Sequence, residues 1–163
     1  MKKNIFTGIV ILFSMQGFSQ TASETNAIME PIKQLFEGMK RGDSAKVHSA
    51  FVIDVNFVTV AKNKSGKPIL IPEPLDKFLM AVGTPHTETW SEPVWDVAVH
   101  VDGIFAQEWA KYAFYLDKKF SHCGVDAFHL IKEADGQWRI FHLADTRQRE
   151  GCKVPEAVSN QFK

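Results

Sequence analysis

Four strand-like segments joined by short turns occupy residues 94–149, and they constrain the fold more than any other feature of the chain. Each segment is rich in β-branched and aromatic residues. The segments are Val94–Val101, Ile104–Leu116, His122–Glu133 and Gln137–Arg149. Turns are predicted at Asp102-Gly103, Lys118-Lys119 and Asp135-Gly136, and turns of two residues join antiparallel neighbours. The region is therefore predicted to form an antiparallel meander.

Helical patterns come before the meander. Apolar residues at three- and four-residue spacing predict an amphipathic helix over Thr25–Arg41. A second, shorter helix begins near Asp43, and a third spans Pro74–Val82. Proline is tolerated at the start of a helix, because the first backbone N–H groups have no partner within the helix. Two further strands, Val55–Val60 and the stretch PILI, lie between these helices. Helices first and strands afterwards predict an α+β domain in which the helices pack on one face of a curved sheet.

Residues 1–19 have the layout of a secretory signal peptide. Two lysines come first, an apolar run from Ile5 to Phe13 follows, and the small residues Gly17 and Ser19 precede the predicted cleavage site. The apolar run is too short to remain as a permanent membrane anchor. We therefore expect cleavage after Ser19 and export of residues 20–163 to the periplasm or the extracellular space.

The mature chain has the length of one domain with a substantial core. The full sequence of 163 residues has 19 basic and 19 acidic residues, so its overall charge balance indicates neither a nucleic-acid partner nor an acidic lipid partner. Thirteen phenylalanines and four tryptophans indicate an aromatic interior, either around a cavity or as a packed core. Cys123 and Cys152 can form a disulfide in an oxidising compartment. The predicted register puts Cys123 opposite Gln148, so a bond requires the chain to turn back at Gly151, and the pairing stays open.

Two stretches of the sequence resemble the NTF2-like superfamily. GDSAKVHSAFVIDVNFV is similar to its passage from helix to strand, and GVDAFHL followed by WRIFHLAD resembles the last hairpin of its SnoaL-like, polyketide cyclase-like branch. The resemblance spans about residues 24–150. It implies a cone-shaped fold with a pocket inside, and it implies that Asp126, Phe128 and Asp145 point into that pocket. The superfamily includes isomerases, dehydratases, cyclases and non-catalytic binding domains, so the fold does not select the function.

Counting from the two-residue turns places the side chains of the meander in rows, with an apolar end and a polar end on one face. The apolar end consists of Trp109, Phe128 and Leu143. The polar end consists of Lys111, Tyr115, His122, Asp126, Asp145 and Arg147. Such a face predicts a pocket that binds a small, partly apolar molecule. The predicted binding residues are Arg147, Lys111, Trp109, Phe128 and Leu143.

The same polar end is also compatible with catalysis. Asp126 and Asp145 are predicted to lie directly opposite each other. Two carboxylates so close repel each other, which raises the pKa of one of them unless a cation lies nearby. Asp145 would then act as a general base, tuned by Asp126, while His122 and Tyr115 would stabilise an oxyanion. This hypothesis is a cofactor-independent isomerase, cyclase or dehydratase. A salt-bridge network without chemistry remains the alternative.

The opposite face carries a second polar row. Glu108, His129 and His142 fall side by side there, and these are the residue types of a two-histidine, one-carboxylate metal site. Flat neighbouring strand positions fit such a site poorly, so a polar patch in a subunit interface is the preferred interpretation.

The apolar residues of that opposite face predict a homodimer. They are Tyr112, Phe114, Ile131, Trp138 and Ile140, with a stripe of alanines. So large an apolar surface is costly to leave in water. Because the helices are assigned to the first face, a second copy of the chain is the simplest cover.

Overall fold

The computed structural model describes residues 22–163, so the predicted signal peptide and its cleavage site lie outside the described residues. The elements in chain order are α1 (Ala22–Arg41), α2 (Ser44–Ser49), β1 (Phe51–Lys62), β2 (Pro68–Pro72), α3 (Leu75–Gly83), β3 (Trp90–Ser91), β4 (Val94–Asp102), β5 (Phe105–Leu116), β6 (Lys119–Lys132), β7 (Trp138–Thr146) and α4 (Glu156–Ser159). None of the described helices is long and apolar enough to cross a membrane.

The seven strands form one sheet in the order β2-β1-β7-β6-β5-β3, and β4 also pairs with β5. β1 runs parallel to β7, and the other strand pairs are antiparallel. The N-terminal helices pack on one side of this curved sheet, which we call the concave face; the opposite side is the outer face. The α+β architecture predicted from the order of the elements is confirmed.

The apolar stripe of α1 determines how the helix sits on the sheet. Ile28, Ile32, Leu35 and Met39 recur at three- and four-residue spacing and are buried in the core against the concave face. Gly38 lies on the same helix, and a Cβ there would come within 2.6 Å of the Val47 side chain. A glycine at this position therefore lets α2 pack closely against α1.

The register of β5 differs from the predicted one by one residue. The turn before β6 is Asp117-Lys118 rather than Lys118-Lys119, so that Leu116 pairs with Lys119. A bulge at Ser121 then adds one residue to β6. Because side chains alternate between the faces of a sheet, the net shift of one residue turns every side chain of β5 to the face opposite the predicted one.

The register between β6 and β7 matches the prediction from the Asp126–Asp145 pair to the His129–His142 pair. Asp126 pairs with Asp145, and Phe128 pairs with Leu143. The loop at Asp135-Gly136 is longer than two residues, but a bulge next to Ile140 offsets the difference.

Cys123 and Cys152 form a disulfide, the pairing that the sequence left open, with Cα atoms 6.0 Å apart. Cys123 pairs with Gln148, as the register predicts. Gly151 then turns the chain back with a φ of 74°, a left-handed conformation that favours glycine. The segment after the disulfide packs on the outer face, where Phe162 joins a cluster around Cys123.

Candidate functional site

A cavity of about 260 Å³ lies between the helices and the concave face of the sheet. Its apolar wall is formed by Leu35, Phe36, Met39, Phe57, Phe78, Trp90, Phe114, Leu116 and Leu143. Two lining residues, Ala81 and Arg147, are exposed and mark where the cavity meets solvent. Its lining residues lie in or next to α1, β1, α3, β3, β5, β6 and β7, so the cavity forms only when these distant segments come together.

Asp126 and Asp145 form the centre of the polar end of the cavity. They face each other across β6 and β7, and their exposed fractions are 3% and 5%. The Arg147 Nε donates a hydrogen bond to Oδ2 of Asp145 at 2.7 Å. The Tyr112 hydroxyl donates to the carbonyl oxygen of Thr146 at 2.9 Å and lies 3.4 Å from the same Oδ2. Arg147 thus places a cation directly beside the buried Asp145 side chain.

Glu92 completes the polar end, and sequence reasoning missed it. It follows β3, lines the cavity, and its carboxyl group interacts with that of Asp126. Burial, and then the charge of Asp145, raises the pKa of Glu92 to about 8. Burial, and then the Glu92 charge, raises the pKa of Asp126 well above its ordinary value. At neutral pH this pair of carboxyl groups therefore retains at least one proton.

His122 lies beside this pair as a neutral ring at physiological pH. Burial, and then the charge of Arg147, lowers the pKa of His122 to about 4. Its Nδ1 is 3.0 Å from Oγ of Ser121, and its ring contacts those of Tyr112 and Phe114 at centroid distances of 5.7 and 5.1 Å. Burial also raises the pKa of Tyr112, so that its hydroxyl remains protonated. These two side chains offer hydrogen bonds rather than charge.

Three of the predicted site residues are not in the cavity, because the shift in β5 turns them to the outer face. Trp109 is 49% exposed there. The Lys111 Nζ forms an ion pair with Asp96 at 2.8 Å, in a bulge of β4. Tyr115 stacks on Phe162 with ring centroids 3.8 Å apart. The predicted roles of Trp109, Lys111 and Tyr115 in a pocket are therefore wrong.

The other predicted site residues lie on the concave face. His122, Asp126, Leu143, Asp145 and Arg147 line the cavity. Phe128 is fully buried, and its ring meets that of Phe36 edge-on at 6.1 Å. Phe128 is thus a core residue that contacts the lining residue Phe36 and does not itself line the cavity.

The predicted metal set is divided between the two faces of the sheet. Glu108 is fully buried on the concave face, where neither carboxyl oxygen has a hydrogen-bond partner among the described residues. Burial raises its pKa to about 8. His129 and His142 lie on the outer face, with their Nδ1 atoms 3.0 Å apart. Within residues 22–163, no group of three or more His, Cys, Asp or Glu side chains is placed to hold a metal ion.

Two changes of register alter the predicted dimer face. The shift in β5 turns Tyr112 and Phe114 inward, and the one-residue offset of β7 before the bulge next to Ile140 turns Trp138 and Ile140 inward. Tyr112, Trp138 and Ile140 are buried inside a single copy of the chain, and Phe114 lines the cavity. Of the five residues predicted for the dimer face, only Ile131 lies on the outer face. Its neighbour Leu130 and the paired Ile140 point to the concave face and are buried.

Solved structures with the same fold are described as NTF2-like proteins and as an isomerase. A protein of unknown function from Shewanella baltica OS155 is 18% identical, with 81% of this chain and 99% of that chain covered and a TM-score of 0.60. A protein from Cytophaga hutchinsonii is 12% identical, with 77% and 98% covered and a TM-score of 0.59. A "putative ketosteroid isomerase" from Shewanella frigidimarina is 18% identical, with 73% and 94% covered and a TM-score of 0.54. At these identities the likeness shows the fold alone. None of the curated proteins matches the chain.

A family model matches residues 23–142, which is most of the described chain. The match includes nearly all of α1, both α2 and α3, and the residues Glu92 and Asp126, and it ends before Asp145 and Arg147. The chain therefore belongs to the family described as "Putative lumazine-binding", and its fold is that of the NTF2-like superfamily.

Proposed function

We propose that this protein binds a small, partly apolar molecule in the cavity between its helices and its sheet. The observation that carries the proposal is the arrangement of the cavity, whose apolar wall meets one cluster of buried polar groups. Binding sites for small molecules are built in this way, because apolar contacts supply affinity and a few polar groups fix the orientation. Asp145, Arg147 and the Glu92–Asp126 pair would provide that orientation.

The family description makes lumazine the first ligand to test. A flat heteroaromatic ring packs well against aromatic side chains, and the wall includes Trp90 and Phe114, which contact each other edge to face with centroids 6.0 Å apart. Ring N–H and C=O groups would meet the protonated and ionised carboxyl groups of the polar end. A ligand that carries hydrogen-bond donors and acceptors on an aromatic body is therefore expected to bind more tightly than a purely apolar one.

Thermal unfolding of residues 20–163 in the presence of lumazine and a library of aromatic fragments tests the binding proposal. Ligands that raise the Tm of the wild type should fail to do so for Ala81→Phe, which blocks the solvent side of the cavity. The matched control is Ala45→Phe, a change at an exposed position of α2 that does not line the cavity. Equal Tm shifts in both variants, or no shift with any compound, would contradict the proposal.

A second candidate function is a cofactor-independent isomerase, cyclase or dehydratase. The observation that favours it is the buried Asp145, paired with Arg147 and lying beside the proton-retaining Glu92–Asp126 pair, in a cavity with a mostly apolar wall. Asp145 would take a proton from carbon next to a substrate carbonyl, and the Glu92 carboxyl group would donate a hydrogen bond to the resulting enolate oxygen. Arg147 would hold Asp145 in place, and the neutral His122 would line the site.

Asp145→Asn separates the two functions. In an enzyme this variant loses turnover while it still binds the ligands found by thermal unfolding. In a binding protein there is no turnover to lose, and only the affinity changes. Product analysis by mass spectrometry of each stabilising ligand after incubation with the wild type decides between them.

We also propose that the protein forms a homodimer through its outer face. Trp109 and Phe105 are exposed there beside Phe141, and the His129–His142 pair lies among them. An apolar patch of this kind supports association with a second copy. Sedimentation at micromolar concentration should give the mass of a dimer for the wild type and of a monomer for Trp109→Arg.

Export to the periplasm or the extracellular space is proposed as well. The disulfide between Cys123 and Cys152 supports this, because such bonds persist in oxidising compartments. The layout of residues 1–19 supports it independently. Mass spectrometry of the protein isolated from its native host should find Gln20 as the first residue.

A further inference from the structure

The hairpin of β1 and β2 exposes apolar side chains on both of its sides. β2 is an edge strand, and all five of its residues are exposed. Leu70 is 69% exposed and pairs with the exposed Val60, while Ile69 and Ile71 project from the other side of the strand. Exposed edge strands usually carry charged side chains that discourage association. Here the strand itself is apolar, which indicates a surface that contacts something other than water.

The tip of the same hairpin is basic. Lys62, Lys64 and Lys67 lie in or beside the turn, and no acidic residue occurs from Val55 to Pro72. None of the three lysines forms an ion pair with another residue of the described chain. The hairpin therefore combines three free positive charges with an exposed apolar strand.

We propose that this hairpin docks on an anionic lipid surface. Lysines near a membrane are attracted by acidic headgroups, and neighbouring apolar side chains enter the boundary between headgroups and acyl chains. Lys62, Lys64 and Lys67 would contact the headgroups, while Leu70 and Val60, which share one side of the hairpin, would insert. A second copy of the chain fits this surface poorly, because two hairpins of the same positive charge repel each other.

Docking in this way would place the hairpin next to the proposed ligand site. Glu73 directly follows β2, and its N–H donates to the Phe57 carbonyl oxygen at 2.9 Å. Glu73, Phe57 and Ala81 all line the cavity, so the docked hairpin would hold one side of the cavity close to the lipid. The docking itself is independent of any ligand and is tested without one.

Co-sedimentation with lipid vesicles tests the proposal. Residues 20–163 should bind vesicles of phosphatidylcholine with about 30 mol% phosphatidylglycerol, whose surface is clearly negative. They should not bind vesicles of pure phosphatidylcholine. The triple variant K62Q/K64Q/K67Q should bind about a hundredfold more weakly, at roughly fivefold per lysine. Its matched control is K33Q/K119Q/K153Q, which removes three exposed lysines elsewhere and should bind like the wild type.

The apolar contribution has its own pair of variants. Leu70→Ser should weaken binding about tenfold, whereas Ile104→Ser, at a 64% exposed position in another turn, should not. All of these side chains are exposed, so thermal unfolding of each variant should match that of the wild type. The proposal is overturned if anionic vesicles do not bind, or if both triple variants lose the same affinity. It is also overturned if Leu70→Ser changes the sedimentation mass without lipid and leaves vesicle binding unchanged, since the hairpin would then be a protein interface.

Discussion

Replacement of Glu108 by glutamine is expected to stabilise the protein at neutral pH and to remove part of its pH dependence. Glu108 is fully buried on β5, opposite Phe128 of β6, and neither of its carboxyl oxygens has a hydrogen-bond partner among the described residues. Burial raises the pKa of Glu108 from 4.5 to about 8, since an ion at this position would lose its hydration and forms no ion pair among the described residues. The side chain is therefore a neutral acid in the folded protein at pH 7.

The magnitude follows from the difference between the folded and unfolded states. The unfolded chain releases the proton near pH 4.5, whereas the folded chain keeps it until about pH 8. Within that window each pH unit lowers the free energy of unfolding by about 1.4 kcal/mol. The loss is about 3 kcal/mol at pH 7 and about 1 kcal/mol at pH 5. Glutamine has no proton to lose, and its uncharged amide replaces an uncharged acid in the folded state.

Urea unfolding followed by tryptophan fluorescence at pH 5 and pH 7 measures this effect. The difference in free energy of unfolding between Glu108→Gln and the wild type should increase by about 2 to 3 kcal/mol from pH 5 to pH 7. Glu30→Gln, at an exposed position of α1, is the control and should show no such change. An equal difference at both pH values would mean that Glu108 ionises normally, which would refute the reasoning.

Three further changes test other parts of the structure. Cys152→Ser should lower the free energy of unfolding by about 3 to 4 kcal/mol in urea, as expected for a disulfide that spans 29 residues in sequence. Gly124→Ala should lower the Tm strongly, because a Cβ there would lie 1.8 Å from the Thr146 carbonyl oxygen. Arg147→Met should cost about 3 kcal/mol in urea by leaving Asp145 buried without its cation, and the double variant with Asp145→Asn should recover most of the loss.

The order of the elements could be predicted from the sequence because their patterns are local. The amphipathic stripe of α1 and the alternation in the meander each depend on residues close together in the chain. The pairing of Asp126 with Asp145 could be predicted for the same reason, since one loop connects their strands. The loop is longer than the predicted two residues, but a bulge next to Ile140 compensates for the difference.

The contribution of β5 could not be predicted, because it depends on features without a clear sequence signal. Asp117 adopts a φ of 55°, a conformation rare for residues other than glycine, and so moves the turn by one position. The bulge at Ser121 likewise has no recognisable pattern in the sequence. Together they put Tyr112, rather than Tyr115, beside Asp145.

Glu92 was missed for a different reason. It lies between the two-residue β3 and a proline, where no periodicity assigns a side chain to a face. Its contact with Asp126 depends on how this short segment crosses the end of β5, which is a property of the tertiary fold. A burial pattern over two residues carries too little information to indicate it.

Binding of a small molecule inside the cavity is the central claim, and fluorine NMR of the protein labelled with 5-fluorotryptophan tests it most directly. The four tryptophans give separate signals; Trp90 lines the cavity, while Trp109 is exposed on the outer face. Titration with lumazine and the aromatic fragments that raise the Tm should shift the Trp90 signal and leave that of Trp109 in place. Ligands that shift only Trp109, or none that shifts Trp90, would contradict the account.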